Sequence, residues 1–428
     1  MANSQQGKSL GTVLVVGGCG FLGSQLVNQL LNFPSEDQLH SNGVAHAKES
    51  GQTSSSQNIF DFPTLRSRYP SYSTSGTRVH AIDLKCTRNM FPGCTYYDAD
   101  ITNPEKLMEV FSKVKPDVVI NTASPAWNLP KPVLQKVNIE GTRTLLEVAG
   151  GKYGNWGGRC RAFVHTSSSS VIHDAVSDLI NADERYPLVL HNKREPYSAT
   201  KAVAEKLVLA ANDKEELGHM LVCAVRPAGI VGEGDMSGWT YGVLKTASDA
   251  PTWQLHLQLG ANDNNFELTY VGNVAYGLLC AADALLETAK RKDQGKTTVL
   301  DYEKVDGEAF IVTNDQPLPF WDAARFVWTA YGREINGDRV RALPEYVCSA
   351  LGLLSETAGW MSGRPSKLTR QSVKYSCMHR SFSCRKIADR CGYEPVISIE
   401  EGLLRAVKRY KEDEAQELEK MALEKKAQ

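Results

Sequence analysis

The sequence predicts an α/β protein with a Rossmann-type, doubly wound parallel sheet and a smaller, irregular C-terminal substrate-binding lobe. Three observations predict it: a glycine-rich turn follows the first strand, strands and helices alternate through the first half of the chain, and this alternation then stops. Parallel strands are joined by crossover connections, and helices in those connections cover both faces of the sheet. A chain of 428 residues is long enough for a large core with more than one lobe.

Composition excludes several other classes of protein. The chain is 42% hydrophobic and 23% charged, with a formal net charge of -1, so no nucleic acid partner is expected. None of the 10 cysteines forms a C-x-x-C pair, which favours free thiols in a reducing compartment and predicts no bound metal. The chain has neither the apolar N-terminal run of a signal peptide nor an apolar run of about 18 residues, so no spanning helix is expected.

The first half of the chain sets out the elements of the sheet. The β-branched run Thr12–Val16 predicts a strand, and the apolar spacing of Phe21–Leu31 predicts a helix. Segment 34–76 is rich in Ser, Gln, Asn and Gly, so we expect a mobile surface insertion at the sheet edge. The alternation resumes with the strand Arg78–Leu84. Later predicted elements are the strands Asp117–Asn121, Ala162–Thr166 and Leu221–Arg226, and helices near Pro104–Lys113, Asn138–Ala149 and Ser198–Ala211.

The second half is less regular. Phe266–Val271 and Ala309–Thr313 are candidate strands, and Val274–Leu286 is a candidate helix. The apolar segment Ala342–Met361 fits either a core helix or a surface that caps a pocket or touches a membrane. Glu and Lys at helical spacing after Arg405 predict a solvated helix. The expected organisation is a tail (1–10), a nucleotide-binding domain (11–235), a substrate-binding region with some elements returning to the core (236–411), and a charged tail (412–428).

A glycine turn joins the first strand to the first helix. Gly17, Gly20 and Gly23 follow the spacing G-x-x-G-x-x-G, and Phe21 and Leu22 begin the helix. Glycines allow the backbone to approach a pyrophosphate, and the helix N-terminus supplies free N–H groups that favour an anion. A tight turn without a ligand is the simpler alternative, but the position between a strand and a helix favours a dinucleotide site.

Asp83 ends the second strand, where an acidic side chain is expected to bind the adenosine ribose hydroxyls. It lies much further from the glycine turn than the roughly 20 residues expected, and the 34–76 insertion accounts for the excess. A carboxylate here repels a 2′-phosphate, which favours NAD over NADP as cofactor. Lys85 and Arg88 are near enough in sequence to weaken this preference, and an ordinary turn residue is the alternative.

Tyr197 and Lys201 lie four residues apart in a predicted helix and so share one face. A neighbouring ammonium stabilises a tyrosine phenolate, so the pair can take a proton from an alcohol while a hydride leaves to a nicotinamide. Four serines, 167–170, follow the strand that ends at Thr166, at the sheet edge where ligands bind. One of their hydroxyls can orient the substrate oxygen, and the residues alone leave open which.

Nine stretches of the chain together resemble one known family. They read VLVVGGCGFLGSQLV, YYDADITN, PDVVINTASP, VNIEGTRTLLEVA, FVHTSSSSVIHD, INADERYP, EPYSATKAVAEKLVLAAN, VRPAGIVGEGD and ELTYVGNVAYG. These stretches are similar to the 3β-hydroxysteroid dehydrogenase family of the extended short-chain dehydrogenase/reductase superfamily. The likeness is greatest for the fungal sterol-4α-carboxylate 3-dehydrogenase (decarboxylating) branch, and it runs from Gly11 to about Lys411, outside the insertion.

The resemblance implies roles for individual residues. Tyr197 and Lys201 match the catalytic pair, and Ser168 matches the catalytic serine, with Ser167 as the alternative. Asn138 matches a structural residue that supports the active site. The positions that match cofactor contacts are Gly17, Gly20, Phe21, Leu22, Gly23, Asp83, Asp100, Ile101, Thr122, Ala123, Ser124, Tyr197, Lys201, Pro227 and Ile230.

The resemblance also implies a reaction and a location. The implied reaction is NAD-dependent oxidation of the 3β-hydroxyl of a 4α-carboxysterol, with loss of the carboxylate as CO2, in ergosterol-type sterol biosynthesis. The alternatives are another 3-hydroxysteroid or a terpenoid substrate, a nucleotide-sugar epimerase or dehydratase, or a cofactor-sensing regulator. The implied location is peripheral, on the cytosolic face of the endoplasmic reticulum membrane, with the cytoplasm as alternative. The resemblance is compatible with a place in a sterol C4-demethylation complex and with a homodimer.

Overall fold

A seven-stranded parallel sheet forms the centre of the protein. The computed structural model describes residues 9–31, 59–60, 62, 68–70, 76–296, 300–363, 366 and 368–427. The strands in these residues are β1 (Thr12–Val16), β2 (Arg78–Asp83), β3 (Cys94–Asp98), β4 (Val118–Asn121), β5 (Ala162–Thr166), β6 (Leu179–Ala182), β7 (Leu221–Pro227), β8 (Gly229–Val231), β9 (Leu257–Leu259), β10 (Leu268–Tyr270), β11 (Ala309–Val312), β12 (Arg341–Leu343) and β13 (Arg380–Phe382). The central sheet has the order β11-β7-β5-β4-β1-β2-β3.

Helices cover both faces of this sheet and build the C-terminal lobe. The α-helices of the described residues are α1 (Phe21–Leu31), α2 (Pro104–Val114), α3 (Lys131–Leu134), α4 (Thr142–Ala149), α5 (Pro196–Ala210), α6 (Trp239–Asp249), α7 (Thr252–Leu255), α8 (Val271–Asp293), α9 (Phe320–Tyr331), α10 (Glu345–Ser362), α11 (Arg370–Cys377), α12 (Arg385–Cys391) and α13 (Ile399–Ala427). A π-helical stretch, Gln135–Gly141, connects α3 to α4.

The side chains of β1 show how the two faces are filled. Val13 and Val15 belong to one core with residues of α1 and α8, whereas Leu14 and Val16 belong to another with residues of α2 and α4. All five residues of the strand are buried. Because helices cover both faces of a parallel sheet, an inner strand is apolar on both sides. This explains the uninterrupted apolar run in the sequence, and the predicted doubly wound fold is confirmed.

The C-terminal lobe is more helical than the sequence indicated. Its core joins residues of α6, α9 and α13, including Val243, Val327 and Leu403. Phe266 and Phe320 pack edge to face in this lobe with ring centroids 5.1 Å apart. Two short parallel pairs, β6 with β13 and β8 with β10, connect the lobe to the segments that leave the sheet. A third pair, β9 with β12, lies within the lobe.

Part of segment 34–76 contacts the core. Tyr69 is buried, and its hydroxyl donates a hydrogen bond to Oδ1 of Asn273 at 2.7 Å. Arg68 forms an ion pair with Glu401 in α13 at 3.1 Å. Most of the segment, which the sequence predicts to be a mobile insertion, lies outside the described residues.

Helix α10 covers most of the apolar segment that the sequence left ambiguous. Only Cys348 and Gly352 are buried, and a Cβ on Gly352 would lie 2.9 Å from the backbone N of Arg370, so α10 crosses α11 closely. Leu354 and Met361 are exposed, which contradicts the core-helix interpretation. Within the described ranges, no helix is long and apolar enough to cross a lipid bilayer.

Candidate active site

The glycine turn lies where β1 meets α1. Gly17 has φ +82°, and a Cβ on it would lie 2.8 Å from the backbone N of Ala123. A Cβ on Gly23 would overlap the carbonyl oxygen of Gly17. These two positions therefore accept only glycine. Helix α1 begins directly after the turn with Phe21 and Leu22, and the backbone at its N-terminus comes within reach of a ligand.

Asp83 lies beside this turn at the end of β2. Its Oδ2 accepts a hydrogen bond from the backbone N–H of Cys19 at 3.0 Å, and its Oδ1 accepts from the N–H of Leu84 at 2.8 Å. A carboxylate has about four acceptor positions, so two stay open for hydroxyl donors. Lys85, which could have favoured a 2′-phosphate, instead pairs with Asp98 at 3.5 Å.

The residues after β3 and β4 complete this edge of the sheet. Asp100 accepts hydrogen bonds from the N–H and the hydroxyl of Thr102, both at 2.8 Å, which shapes the turn before α2. Its neighbour Ile101 packs against Gly141, where a Cβ would lie 2.6 Å from the Ile101 Cδ1 atom. The Thr122 hydroxyl donates to the carbonyl of Val16 at 2.7 Å and so ties the end of β4 to the glycine turn.

Ser124 connects this edge to the tyrosine. Its hydroxyl donates to Oδ1 of Asn138 at 3.2 Å and lies beside the Tyr197 phenol. The amide of Asn138 donates to the Thr200 hydroxyl at 3.0 Å, and that hydroxyl donates to the carbonyl of Tyr197 at 2.9 Å. Asn138 thus holds the first turn of α5 against the loop after β4.

The Tyr/Lys pair lies in the first two turns of α5. Tyr197 is half-buried, and burial raises the pKa of its phenol while the Ser124 hydroxyl acts in the opposite direction. Lys201 is 2% exposed and donates from Nζ to the carbonyl of Thr166 at 2.5 Å. Burial lowers the pKa of Lys201 to about 8, and Glu205 acts in the opposite direction. The lysine is therefore fixed at the end of β5, directly before the serine run.

The four serines differ in their access to solvent. Ser167, Ser169 and Ser170 are buried, whereas Ser168 is partly exposed. Ser168 caps a 3-10 turn (Ser169–Ile172), and its hydroxyl lies 2.9 Å from that of Ser170. Because a substrate can reach only an accessible hydroxyl, the geometry favours Ser168 over Ser167.

The loop after β7 lies at the same edge of the sheet. Pro227 ends β7, and the next residue, Ala228, donates its N–H to the carbonyl of Val312 at 3.0 Å. Ile230 pairs with Thr269 in the β8–β10 ladder. These bonds hold the 227–230 loop between the sheet and the lobe, where the resemblance places contacts to the nicotinamide.

Sequence reasoning missed a buried ion pair behind this site. Arg226 in β7 donates from Nε and Nη2 to both carboxylate oxygens of Glu205, at 2.6–3.2 Å. Both side chains are almost fully buried. Glu205 lies one helical turn after Lys201 on the same face of α5, and an acidic residue at this core-facing position was the available signal.

A cavity of about 1190 Å³ lies elsewhere, among α8, α12 and the loop after β6. Charged residues of both signs line it, among them Glu287, Arg291 and Lys386. None of the site residues discussed above lines this cavity, so it is separate from the Tyr/Lys pair and the glycine turn.

A Tyr/Lys pair on the same edge of a doubly wound sheet as a glycine turn defines the extended short-chain dehydrogenase/reductase class. A sequence profile of the 3-beta hydroxysteroid dehydrogenase/isomerase family matches residues 76–342 of the chain. The chain belongs to this family.

Several curated proteins are similar over most of their length. The sterol-4-alpha-carboxylate 3-dehydrogenase ERG26, decarboxylating, of Candida albicans is 32% identical over 92% of this chain and 96% of its own. The protein of that name from Saccharomyces cerevisiae is also 32% identical, over 92% and 95%. The mouse sterol-4-alpha-carboxylate 3-dehydrogenase, decarboxylating, is 25% identical over 92% and 90%.

Solved structures share the fold at lower identity. A UDP-glucuronic acid 4-epimerase from Bacillus cereus, in complex with UDP-glucuronic acid and NAD, has a TM-score of 0.59 at 17% identity, covering 94% of this chain and 99% of its own. A dTDP-glucose 4,6-dehydratase from Bacillus anthracis, in complex with NAD, has a TM-score of 0.57 at 16% identity, covering 95% and 98%. This likeness concerns the fold.

Proposed function

We propose that the protein oxidises the 3β-hydroxyl of a 4α-carboxysterol to the 3-ketone with NAD, and that the 4-carboxylate leaves as CO2. The observation that carries this proposal is the combination of the Tyr197/Lys201 pair at the sheet edge with 32% identity, over 92% of the chain, to proteins named for this reaction. The sterol pathway of those relatives supports a place for this chain in sterol biosynthesis.

The residues at the sheet edge fit a nicotinamide dinucleotide. The Cβ atoms that Gly17 and Gly23 lack would collide with the backbone of Ala123 and of Gly17, so only glycine allows this tight turn. The turn leads directly into the N-terminus of α1, whose N–H groups and dipole favour a pyrophosphate. Asp83 has acceptor positions left for ribose hydroxyls, and its charge together with the Lys85–Asp98 pair favours NAD over NADP. When bound, the nicotinamide supplies the acceptor for the hydride that leaves carbon 3.

Tyr197 and its neighbours handle the proton of the alcohol. The Tyr197 phenolate takes the proton of the 3-hydroxyl as the carbon–oxygen double bond forms and the hydride departs. The Lys201 ammonium stabilises that phenolate, and Glu205 beneath it favours the charged lysine. The accessible Ser168 hydroxyl donates to the substrate oxygen and fixes its position beside Tyr197.

The product of oxidation is a β-keto acid, which loses CO2 readily. The bond between carbon 4 and the carboxylate breaks, and its electron pair forms the enolate of the 3-ketone. The enolate then takes a proton to give the neutral ketone. The chain needs to supply only a site that holds the enolate oxygen, and we assign that role to the Tyr197 hydroxyl and Ser168.

Exposed apolar residues suit a substrate that dissolves in lipid. Trp127 and Met236 are exposed on the loop that follows Ser124 and on the neighbouring 232–238 loop, and the Trp127 indole donates to the Ser237 carbonyl at 3.2 Å. Helix α10 exposes Trp360. We propose that these surfaces admit the sterol and rest on a membrane, on the cytosolic face of the endoplasmic reticulum.

The test combines the purified protein, NAD and a 4α-carboxy-3β-hydroxysterol. We expect NADH by absorbance at a rate matching the appearance, by mass spectrometry, of a 3-ketone lighter by CO2. The same sterol with a 3α-hydroxyl serves as the control and should give no NADH. NADH formation from a 3-hydroxysteroid without a carboxylate, and none from the carboxysterol, would replace the proposed substrate.

A further inference from the structure

The 232–238 loop touches both ends of the proposed site. The Cβ that Gly234 lacks would lie 3.9 Å from the Cδ2 atom of Phe21, the first residue of α1. Further along the loop, the carbonyl of Ser237 accepts a hydrogen bond from the indole of Trp127, on the loop after β4, at 3.2 Å. The loop therefore lies beside the N-terminus that we assign to the pyrophosphate and is tied to the chain segment next to the catalytic tyrosine.

The sequence of this loop does not fix its conformation. Gly232 and Gly234 have φ +150° and +89°, values that glycine adopts freely. The second half of the loop is ordered by Asp235, whose carboxylate accepts hydrogen bonds from the N–H groups of Ser237 at 3.1 Å and Gly238 at 2.6 Å. The first half needs a contact from elsewhere in the chain.

Glu233 supplies that contact, although a carboxylate is a costly group to bury. Its Oε1 accepts a hydrogen bond from the Tyr270 hydroxyl at 2.7 Å, and its Oε2 is buried with no hydrogen-bond partner among the described residues. Burial raises the pKa of Glu233, whereas its own backbone N–H and the Tyr270 hydroxyl act in the opposite direction. The side chain therefore depends strongly on the one hydroxyl that donates to it.

Tyr270 is fixed by its own packing and so can hold the loop. Its side chain is fully buried, and its backbone N–H donates to Oδ1 of Asn314 at 2.9 Å. The ring packs against two glycines, because a Cβ on Gly272 would lie 2.6 Å from Cε1 and a Cβ on Gly402 would lie 2.6 Å from Cδ2. The start of α8 and helix α13 therefore enclose the ring, and the hydroxyl cannot follow the loop if the loop moves.

Segment 34–76 covers the same ring from another side. The Cβ that Gly272 lacks would also lie 2.8 Å from the Tyr69 hydroxyl, which donates to Oδ1 of Asn273. The same Oδ1 accepts from the backbone N–H of Ile397 at 3.1 Å. Tyr69 thus joins the inserted segment, the start of α8 and the chain before α13 around the tyrosine that holds the loop.

We infer that Glu233 is a positioning residue for the dinucleotide: bound by the Tyr270 hydroxyl, it keeps the 232–238 loop against the N-terminus of α1. This inference rests on the cofactor assigned in the proposed function. Without the Tyr270 hydroxyl, neither oxygen of the buried carboxylate has a side-chain donor, so the carboxylate moves towards water and takes the loop with it. Tyr197 and Lys201 lie on α5, a different segment, so the defect falls on cofactor binding and not on the chemical step.

The test measures NADH affinity by fluorescence titration and the dependence of turnover on NAD. We expect Tyr270→Phe to weaken NADH binding about 10-fold, the effect of one lost hydrogen bond to a charged group. The KM for NAD should rise by a similar factor, while kcat changes less than about twofold. Glu233→Ala should match Tyr270→Phe. Glu233→Gln keeps an oxygen that accepts the same hydrogen bond, so it should bind NADH within about twofold of the wild type.

Tyr331→Phe is the matched control, because the Tyr331 hydroxyl donates to the Glu414 carboxylate at the same distance of 2.7 Å, between α9 and α13. It should lower the free energy of unfolding in urea without changing NADH affinity. Wild-type NADH affinity in Tyr270→Phe, or an equal loss in Tyr331→Phe, overturns the inference.

The remaining outcomes separate this inference from the proposed function. If Tyr270→Phe unfolds, Glu233→Ala decides, since it keeps the tyrosine ring, and wild-type NADH affinity in that variant overturns the inference. The expected changes in NADH affinity, in a protein that does not oxidise the carboxysterol, overturn the proposed reaction and leave the inference in place. A wild-type protein that binds no NADH overturns the cofactor assignment and the inference with it.

Discussion

The sheet half holds a buried arginine, Arg226, and the C-terminal lobe holds a partly buried one, Arg380, in opposite ways. In the sheet, Arg226 donates to both oxygens of Glu205, and both side chains are almost fully buried. In the lobe, Arg380 has no described carboxylate within 4.0 Å and rests against the Tyr375 ring. A paired charge stabilises the framework that holds the tyrosine and lysine, whereas the charge of Arg380 is balanced only by the face of the Tyr375 ring. The difference separates the sheet edge that carries Tyr197 and Lys201, the reaction edge, from a lobe whose arginine has no described counter-ion.

The largest expected effect tests whether the chemistry lies on the sheet side of this division. Tyr197→Phe keeps the ring but removes the proton acceptor, so kcat should fall on the order of 10³-fold. NADH binding, followed by fluorescence titration, should change less than twofold. Tyr346→Phe, at a tyrosine 77% exposed on α10, is the matched control and should be fully active. Turnover of Tyr197→Phe within tenfold of the wild type contradicts the assignment.

The second prediction tests the paired arginine. Glu205→Gln leaves Arg226 buried without its counter-ion, and we expect a loss of about 3–5 kcal/mol in the free energy of unfolding in urea. Glu109→Gln breaks an exposed pair with Lys106 and should leave the free energy of unfolding nearly unchanged, because solvent screens such pairs. If Arg380→Gln were to destabilise the fold as much as Glu205→Gln, the two arginines would serve the same structural purpose and the comparison would fail.

A third, smaller effect concerns the cofactor end of the reaction edge. Gly23→Ala forces a methyl group against the Gly17 carbonyl, which displaces the turn and should weaken NADH binding by about 30-fold, or ~2 kcal/mol. Gly242→Ala, at a helical glycine with no atom within 4 Å of the added methyl, should not change it. Equal affinities in the two variants would show that the turn does not contact the dinucleotide.

The smallest predicted effect is a pH dependence of stability that Lys201 produces. Its folded-state pKa of about 8 lies below its value in the unfolded chain, so above pH 8 the unfolded state binds the proton more readily. Stability from this group therefore rises as pH increases from 8 towards 9.5, by about 1–2 kcal/mol. The free energy of unfolding in urea is measured for the wild type and for Lys201→Met at each pH, and the difference between them isolates this contribution. A difference that falls as the pH rises would contradict the prediction.

The sequence could predict the reaction edge because its signals are local. The apolar runs of β1, β5 and β7 are buried on both sides, and Tyr197 and Lys201 share a face through helical spacing alone. Strand β3 was missed because none of its residues is fully buried, so CTYYD carries no apolar run. It is held by its ladder with β2, which composition does not reveal.

The lobe was harder to predict because its contacts join distant parts of the chain. Arg380 looks like any surface arginine until β13 pairs with β6, about two hundred residues earlier. The segment beginning at Ala342 is apolar enough for a core, yet α10 buries only two of its residues. Which side of a helix meets a neighbour depends on the tertiary arrangement, and the apolar spacing there is consistent with both outcomes.

The number of residues in the π-helical stretch that carries Asn138 determines where the Asn138 side chain lies. A π turn holds one residue more than an α turn, so Gln135–Gly141 can be regarded as an α-helix with an added residue. Deleting one residue there would let the helix close with ordinary turns and rotate Asn138 by about 100° relative to α4. The Asn138 side chain would then lose its hydrogen bond to the Thr200 hydroxyl, although no other residue had been substituted. Evolution can substitute around Asn138, but it cannot shorten this helix without moving the start of α5.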